Sequence, residues 1–174
     1  LEADIAYGGI DQRGIYMLSR ELLPDHGWHE PVCLFAPLLS GLSGGKMSAS
    51  EEGSKVNLTD DPDEVAAKID DAYCPMGDVE DNGILEYLEH LVFPVLGARG
   101  RDEFVVERPE EYGGDLVYGS YGEVEADFLS EDLHPADLKP AAADAISEVI
   151  APVRERLGDE AELLAEAYPE TDCE

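Results

Sequence analysis

Residues 4–7 read as a short strand ending at two glycines, residues 11–23 as a helix with Ile15, Leu18 and Leu22 on one face, and the run PVCLFAP at 31–37 as a second strand. This order leaves few folds open. Strands joined through a helix pair in parallel, because an antiparallel hairpin needs only a tight turn while a parallel crossover takes about a dozen residues or more. Parallel strands are normally covered on both faces, so both runs are expected to be buried, with DIAYGG passing into a tight turn. In such α/β units ligands sit at the carboxyl ends of the strands, which puts the loop at 38–54 on the binding side.

That loop continues into SGGKMSASEEGSKV at 43–56, where Lys46 follows two glycines in a chain with only 11 Lys and Arg against 41 Asp and Glu. A cation on a glycine-flanked, hydroxyl-rich loop suits an anion such as a phosphate; a solvated surface loop would read the same. It is not a Walker A loop, since Ser40 stands where the first glycine belongs and Met47 follows the lysine. What does fit is K-M-S-x-S after the second strand, together with G-G-x-D-Q after the first.

The net charge of -30 suggests high-salt adaptation rather than disorder, because 44% of the residues are hydrophobic and recur at helical spacing with acids between them. At about 1 M salt the Debye length is about 3 Å, so an acidic skin is screened and does not bar a polyanionic partner. No apolar run approaches the ~20 residues of a membrane span, so no membrane partner is expected, and LEADIAYGGIDQR lacks the basic leader and apolar stretch of a signal peptide. The first residue is not Met, so we expect a larger protein with an upstream part. Cys33, Cys74 and Cys173 are odd in number and never spaced CxxC, which fits a reducing cytoplasm better than a disulfide framework or zinc ribbon. His26, His29 and Cys33 could suggest a metal, but DHGWHEP reads as a turn and Cys33 as part of a strand, so no metal site is expected.

From residue 60 the pattern turns helical. In DDPDEVAAKIDDAY, Asp61 is placed as N-cap, Pro62 at the first helical position and Glu64 as the capping-box acid. NGILEYLEHLVF continues with Ile84, Leu88 and Leu91 in register. EFVVERP and DLVYGS form a hairpin across EEYGG, and helices follow at 121–130, 135–157 and 159–167, with Pro140 and Pro152 as boundaries or kinks. Tyr73, Tyr87, Phe93 and Phe128 are expected in the core.

GGIDQR at 8–13, GLSGGKMSAS at 41–50, the stretch from 54 to 77, VEDNGILEYLEHLVFP at 79–94 and LHPADLK at 133–139 together resemble the archaeal and eukaryotic type of tyrosyl-tRNA synthetase. The composition adds a halophilic archaeon as the source. Tryptophanyl-tRNA synthetases share the lysine loop, but YGGIDQR and YGGDLVYGSY favour tyrosine. No H-I-G-H-type motif occurs. The resemblance therefore implies an α/β fold that is the carboxy-terminal half of a class I Rossmann-like catalytic domain (1–58, with the KMSKS-type loop), followed by a mainly α-helical anticodon-binding domain (59–174). A noncatalytic tRNA-binding module with a relic lysine loop is the rival reading.

The resemblance implies that tyrosine is activated with ATP as substrate, accompanied by Mg2+, and passed to tRNA(Tyr) by a cytoplasmic homodimer, with this piece alone inactive. It gives catalysis to Lys46, Ser48 and Ser50, and ATP binding to Gly9, Asp11, Lys46 and Met47. Gln12 would hold tyrosine. Ala49 stands in place of a second lysine, leaving Lys46 as the loop cation that meets the departing pyrophosphate. Arg13 would meet the acceptor stem, where the usual neighbouring lysine is Gly14. Asp137 would read the first anticodon base, Tyr112 would stack on it, and His134 and Lys139 would flank it. Read without the resemblance, Gly8 and Gly9 make only a turn, Asp11 caps a helix, His134-Pro135 is a helix entry, Asp137 a first-turn acid and Tyr112 core.

Overall fold

β1 (Ile5–Gly9) and β2 (Val32–Ala36) lie parallel, in register from Ile5 opposite Val32 to Gly9 opposite Ala36, with α1 (Arg13–Leu22) as the crossover between them. The structure, a computed structural model, describes residues 3–45, 47, 52–101, 103–158 and 160. They divide into a unit Leu1–Leu39 and a unit Ser40–Glu174.

In the first unit the parallel pairing follows the expectation, but the burial does not. Alternation sends Ile5, Tyr7, Val32 and Leu34 to one face, where each is half or more exposed within this chain. On the opposite face the Tyr16 ring of α1 meets Phe35 edge-on at 5.7 Å, and the Tyr16 hydroxyl donates to the Tyr7 carbonyl at 3.1 Å. One helix covers only one face of a two-stranded sheet. Ile15, Leu18 and Leu22, expected to pack, are also exposed, because Tyr16 and Met17 take the inner side of α1. Gly8 and Gly9 form the end of β1 rather than a turn. A Cβ on Gly8 would stand 2.9 Å from the Tyr16 hydroxyl, so the ring packs on the strand where no side chain stands.

The second unit holds the core. α2 (Pro62–Asp71) begins at the expected capping box: Asp61 Oδ1 accepts from Glu64 N at 2.8 Å, and Glu64 Oε2 accepts from Asp61 N at 2.8 Å. α3 (Gly83–Tyr87), a π-helical turn (Leu88–Val92) and α4 (Phe93–Ala98) form one continuous path. The π turn rotates the register, so Val92 is buried where Leu91 is only half-buried. Pro94 explains its place: with no N–H it cannot serve the carbonyl four residues back, and the wider turn absorbs the break.

β3 (Phe104–Val106) pairs antiparallel with β4 (Leu116–Tyr118), Phe104 opposite Tyr118. α5 (Tyr121–Leu129) and α6 (Pro135–Gly158) follow, and α6 packs on α2, the π turn and β3 through Leu138, Ala142, Ile146 and Ile150. α6 runs on through Pro140 and Pro152, so neither ends it; the packing of its apolar stripe outweighs two missing N–H bonds. The helix expected at 159–167 falls almost wholly on residues outside those described. Phe128 and Tyr87 are buried as expected and Phe93 half-buried, whereas Tyr73 is 49% exposed. No helix among the described residues is long and apolar enough to cross a membrane.

Candidate functional site

At the carboxyl end of β1 the chain passes from Gly9 (φ -71°, ψ 153°) into a 3-10 turn, Ile10–Gln12, and then into α1. Asp11 folds back over the strand end, since a Cβ on Gly9 would stand 2.5 Å from its Oδ1. The N-cap of α1 is Gln12, without a side-chain cap bond, so Asp11 does not cap that helix. Asp11, Gln12 and Arg13 are exposed and consecutive, as a site at a strand end requires.

The lysine loop belongs to the second unit. Residues 40–45 and 52–58, on either side of it, are bonded to the helices of that unit. Ser40 gives its N–H (2.5 Å) and hydroxyl (2.8 Å) to the Glu86 carboxylate. Leu42 is fully buried, its N–H on the Ser54 carbonyl and its carbonyl accepting from Tyr73 N at 2.6 Å. Val56 N donates to the Tyr87 hydroxyl at 3.4 Å. Between these anchors Gly44 and Gly45 take left-handed backbone (φ 82° and 84°), and the Tyr73 ring lies over Gly44, 3.2 Å from where a Cβ would be. Tyr73, expected in the core, covers Gly44 instead. Met47 is half-buried. Lys46, Ser48 and Ser50 lie outside the described residues.

Glu86, Tyr87 and Tyr73 were not singled out as loop anchors by the sequence. Glu86 lies 46 residues from Ser40, and no local spacing signals the pairing.

The remaining candidate residues lie at the start of α6 and on the turn between β3 and β4. His134 caps that helix, its Nδ1 accepting from Ala136 N at 3.0 Å. Asp137 follows in the first turn, half-buried on a cleft of about 260 Å³ that also meets Arg99, Arg101, Phe104 and Glu148. Arg99 Nη1 lies 3.6 Å from Glu148 Oε1, and Arg101 bonds the same oxygen. Lys139 reaches the Asp70 carbonyl at the end of α2 at 2.6 Å, a helix-terminal contact that fixes α6 to α2. Tyr112 is 65% exposed on a 3-10 turn, Glu110–Tyr112, so it is not a core residue.

The sequence also passed over Arg108, whose Nε donates to the Gly114 carbonyl at 3.0 Å and whose Nη1 donates to the Asp132 carbonyl at 3.2 Å. Close by, Tyr118 donates to Asp127 at 3.0 Å; burial and that carboxylate push its phenol well above the usual range, with Arg108 pulling weakly the other way.

His26 and His29 border an open cleft with Asp4 and Trp28, and His29 Nε2 lies 3.1 Å from the Ala3 carbonyl. Among the described residues no group of three or more His, Cys, Asp or Glu is arranged to hold a metal ion.

Residues 1–151 match the family model "tRNA synthetases class I (W and Y)". The chain is 78% identical over 170 residues to the tyrosine–tRNA ligase of Haloarcula marismortui, covering 98% of this chain and 49% of that protein. It is 72% identical to the tyrosine–tRNA ligase of Natronomonas pharaonis, again over 98% of this chain and 49% of that one. The crystal structure of tyrosyl-tRNA synthetase complexed with L-tyrosine from Archaeoglobus fulgidus is similar at TM-score 0.80 and 46% identity, over 88% of this chain and 46% of that chain. The chain spans about half the length of the curated relatives it matches.

Proposed function

The chain belongs to the class I tRNA synthetases of the tryptophan and tyrosine group, and we propose that it is the carboxy-terminal portion of a tyrosine–tRNA ligase. The observation that carries the choice of tyrosine is the 78% identity, along almost the whole chain, to a protein named tyrosine–tRNA ligase. The reaction joins tyrosine to ATP, supplied with Mg2+, releases pyrophosphate, and passes the tyrosyl group to the terminal adenosine of tRNA(Tyr). The complete protein acts in the cytoplasm as a homodimer.

In this reading residues 1–58 complete the catalytic domain and 59–174 bind the anticodon. Lys46 meets the charge that grows on the departing pyrophosphate, where a placed cation stabilises the transition state more than the ground state. Ser48 and Ser50 add hydroxyl donors. Gly9, Asp11 and Met47 contact ATP and Gln12 contacts tyrosine. Arg13 meets the acceptor stem.

Asp137 accepts from the N–H groups of the first anticodon base while Tyr112 stacks on it, with His134 and Lys139 at the edge of the site. The half-buried carboxylate of Asp137 and the exposed ring of Tyr112 support that division of work. A carboxylate discriminates when its competitor must leave it unpaired; a ring stacks on any base.

The complete protein is expected to exchange pyrophosphate into ATP in the presence of tyrosine and to charge tRNA(Tyr), whereas this chain alone gives no exchange. Exchange that depends on tryptophan in place of tyrosine would overturn the assignment. Asp137→Ala should lower discrimination between guanine and other first anticodon bases by about 1 kcal/mol or more. An equal loss for every base would assign Asp137 to the fold alone.

A further inference from the structure

The guanidinium of Arg108 bonds to two separate loops, one carrying Tyr112 and the other leading into His134 and Asp137. We propose that Arg108 is a positioning residue that sets the spacing between Tyr112 and Asp137, and through it the selectivity for the first anticodon base. The inference rests on the tRNA-reading role given to those two residues above.

On the Tyr112 side the turn is wound tightly. Gly113 N bonds the Glu110 carbonyl and Gly114 N the Pro109 carbonyl, and both glycines are left-handed (φ 100° and 75°). That backbone brings the Gly114 carbonyl to Arg108 Nε at 3.0 Å. A Cβ on Gly113 would stand 3.4 Å from Arg108 Nη2, so the guanidinium lies directly beside the turn.

On the other side Nη1 holds the Asp132 carbonyl at 3.2 Å. Leu133, next in the chain, is fully buried; His134 then caps α6, and Asp137 stands in its first turn. One planar group thus connects the two loops.

The hairpin does not depend on that group to close. Its base is held by Arg108 N on Asp115 Oδ1 at 3.1 Å, a backbone bond that any residue except proline would keep, and by the β3–β4 ladder. The guanidinium therefore adds alignment between loops. Its rigid fork presents separate N–H groups to the two carbonyls at once, which a lysine ammonium on a flexible stem does not reproduce.

The test is a double-mutant cycle in the complete enzyme in molar potassium chloride. It combines Arg108→Ala and Arg108→Lys with Asp137→Ala and measures aminoacylation of tRNA(Tyr) transcripts that differ only at the first anticodon base. Arg108→Ala should lower the ratio of kcat/KM for guanine over the other bases by roughly tenfold, carried by KM, and Asp137→Ala should then cost less than it does in the parent. Arg108→Lys should show nearly the same loss of selectivity with a melting temperature close to the parent's, and it decides the matter if the alanine variant fails to fold. Additive effects, or an equal loss for all four bases, would overturn the proposal alone. If Asp137→Ala itself leaves the ratio unchanged, the tRNA-reading role of Asp137 fails and this inference fails with it.

Discussion

Lys68 Nζ lies 2.5 Å from Asp60 Oδ2, an ion pair whose side chains keep only 18% and 7% of their exposure. Asp60 also accepts from Asn57 N at 2.8 Å and from Asn57 Nδ2 at 3.2 Å, while its carbonyl takes Arg154 Nη1 of α6 at 2.9 Å. One residue thus ties the segment after the lysine loop to both α2 and α6.

Burial raises the Asp60 pKa, but the bonds from Lys68 and Asn57 outweigh it and hold the carboxyl below the usual range. A depressed folded-state pKa gives stabilisation that is whole above the ordinary value of about 3.9 and is lost as pH falls through the folded value. Asp60→Asn should therefore destabilise the protein by about 2–3 kcal/mol at neutral pH, leaving Lys68 without its counter-charge, and should flatten the loss of stability below about pH 4. Urea melts at neutral and acid pH check both; an unaltered acid slope would remove Asp60 from the account.

Gly83→Ala should cost about 1–2 kcal/mol although alanine is the better helix former. Its Cβ would stand 3.1 Å from the carbonyl oxygens of Ser40 and Gly41, and backbone cannot swing aside as a side-chain tip can. A neutral or stabilising result in thermal melts would show that the 40–41 segment yields easily.

Lys46→Ala in the complete enzyme should slow tyrosyl-adenylate formation by a factor of about 10² or more with little change in the Kd for tyrosine, because the proposed contact is to the phosphates. Single-turnover kinetics and tyrosine titration separate the two. Weakened tyrosine binding at an unchanged adenylation rate would contradict the role.

With 41 acidic residues against 11 Lys and Arg, stability should rise as potassium chloride is raised to molar concentrations and fall on dilution. Unfolding followed by circular dichroism across that range decides it; a salt-independent midpoint would mean that self-repulsion is not a significant term.

Local chemistry was legible wherever a signal lies within a few residues. The Asp61–Glu64 capping box and the β3–β4 hairpin depend on neighbours along the chain, and both form where their residues place them. Leu91 was misjudged because one wide turn shifts a helix register, and Pro140 and Pro152 are not boundaries because packing on α2, the π turn and β3 carries α6 through both. Of the candidate site, Asp11, Gln12 and Arg13 are exposed where β1 ends, and the lysine loop falls partly on residues outside those described.

By itself the sequence determined the parallel strand–helix–strand order, the hairpin, the helical second region and the family, since periodicity, caps and motifs are written in consecutive residues. Only the tertiary structure decided that the loop base hangs on Glu86 and Tyr87, that Asp60 meets both Lys68 and Arg154, and that Arg108 connects the turn of Tyr112 to the entry of α6. The physical reason is reach. A hydrogen bond acts over about 3 Å, and which distant groups come within that distance is set by how the helices pack, not by any spacing along the chain.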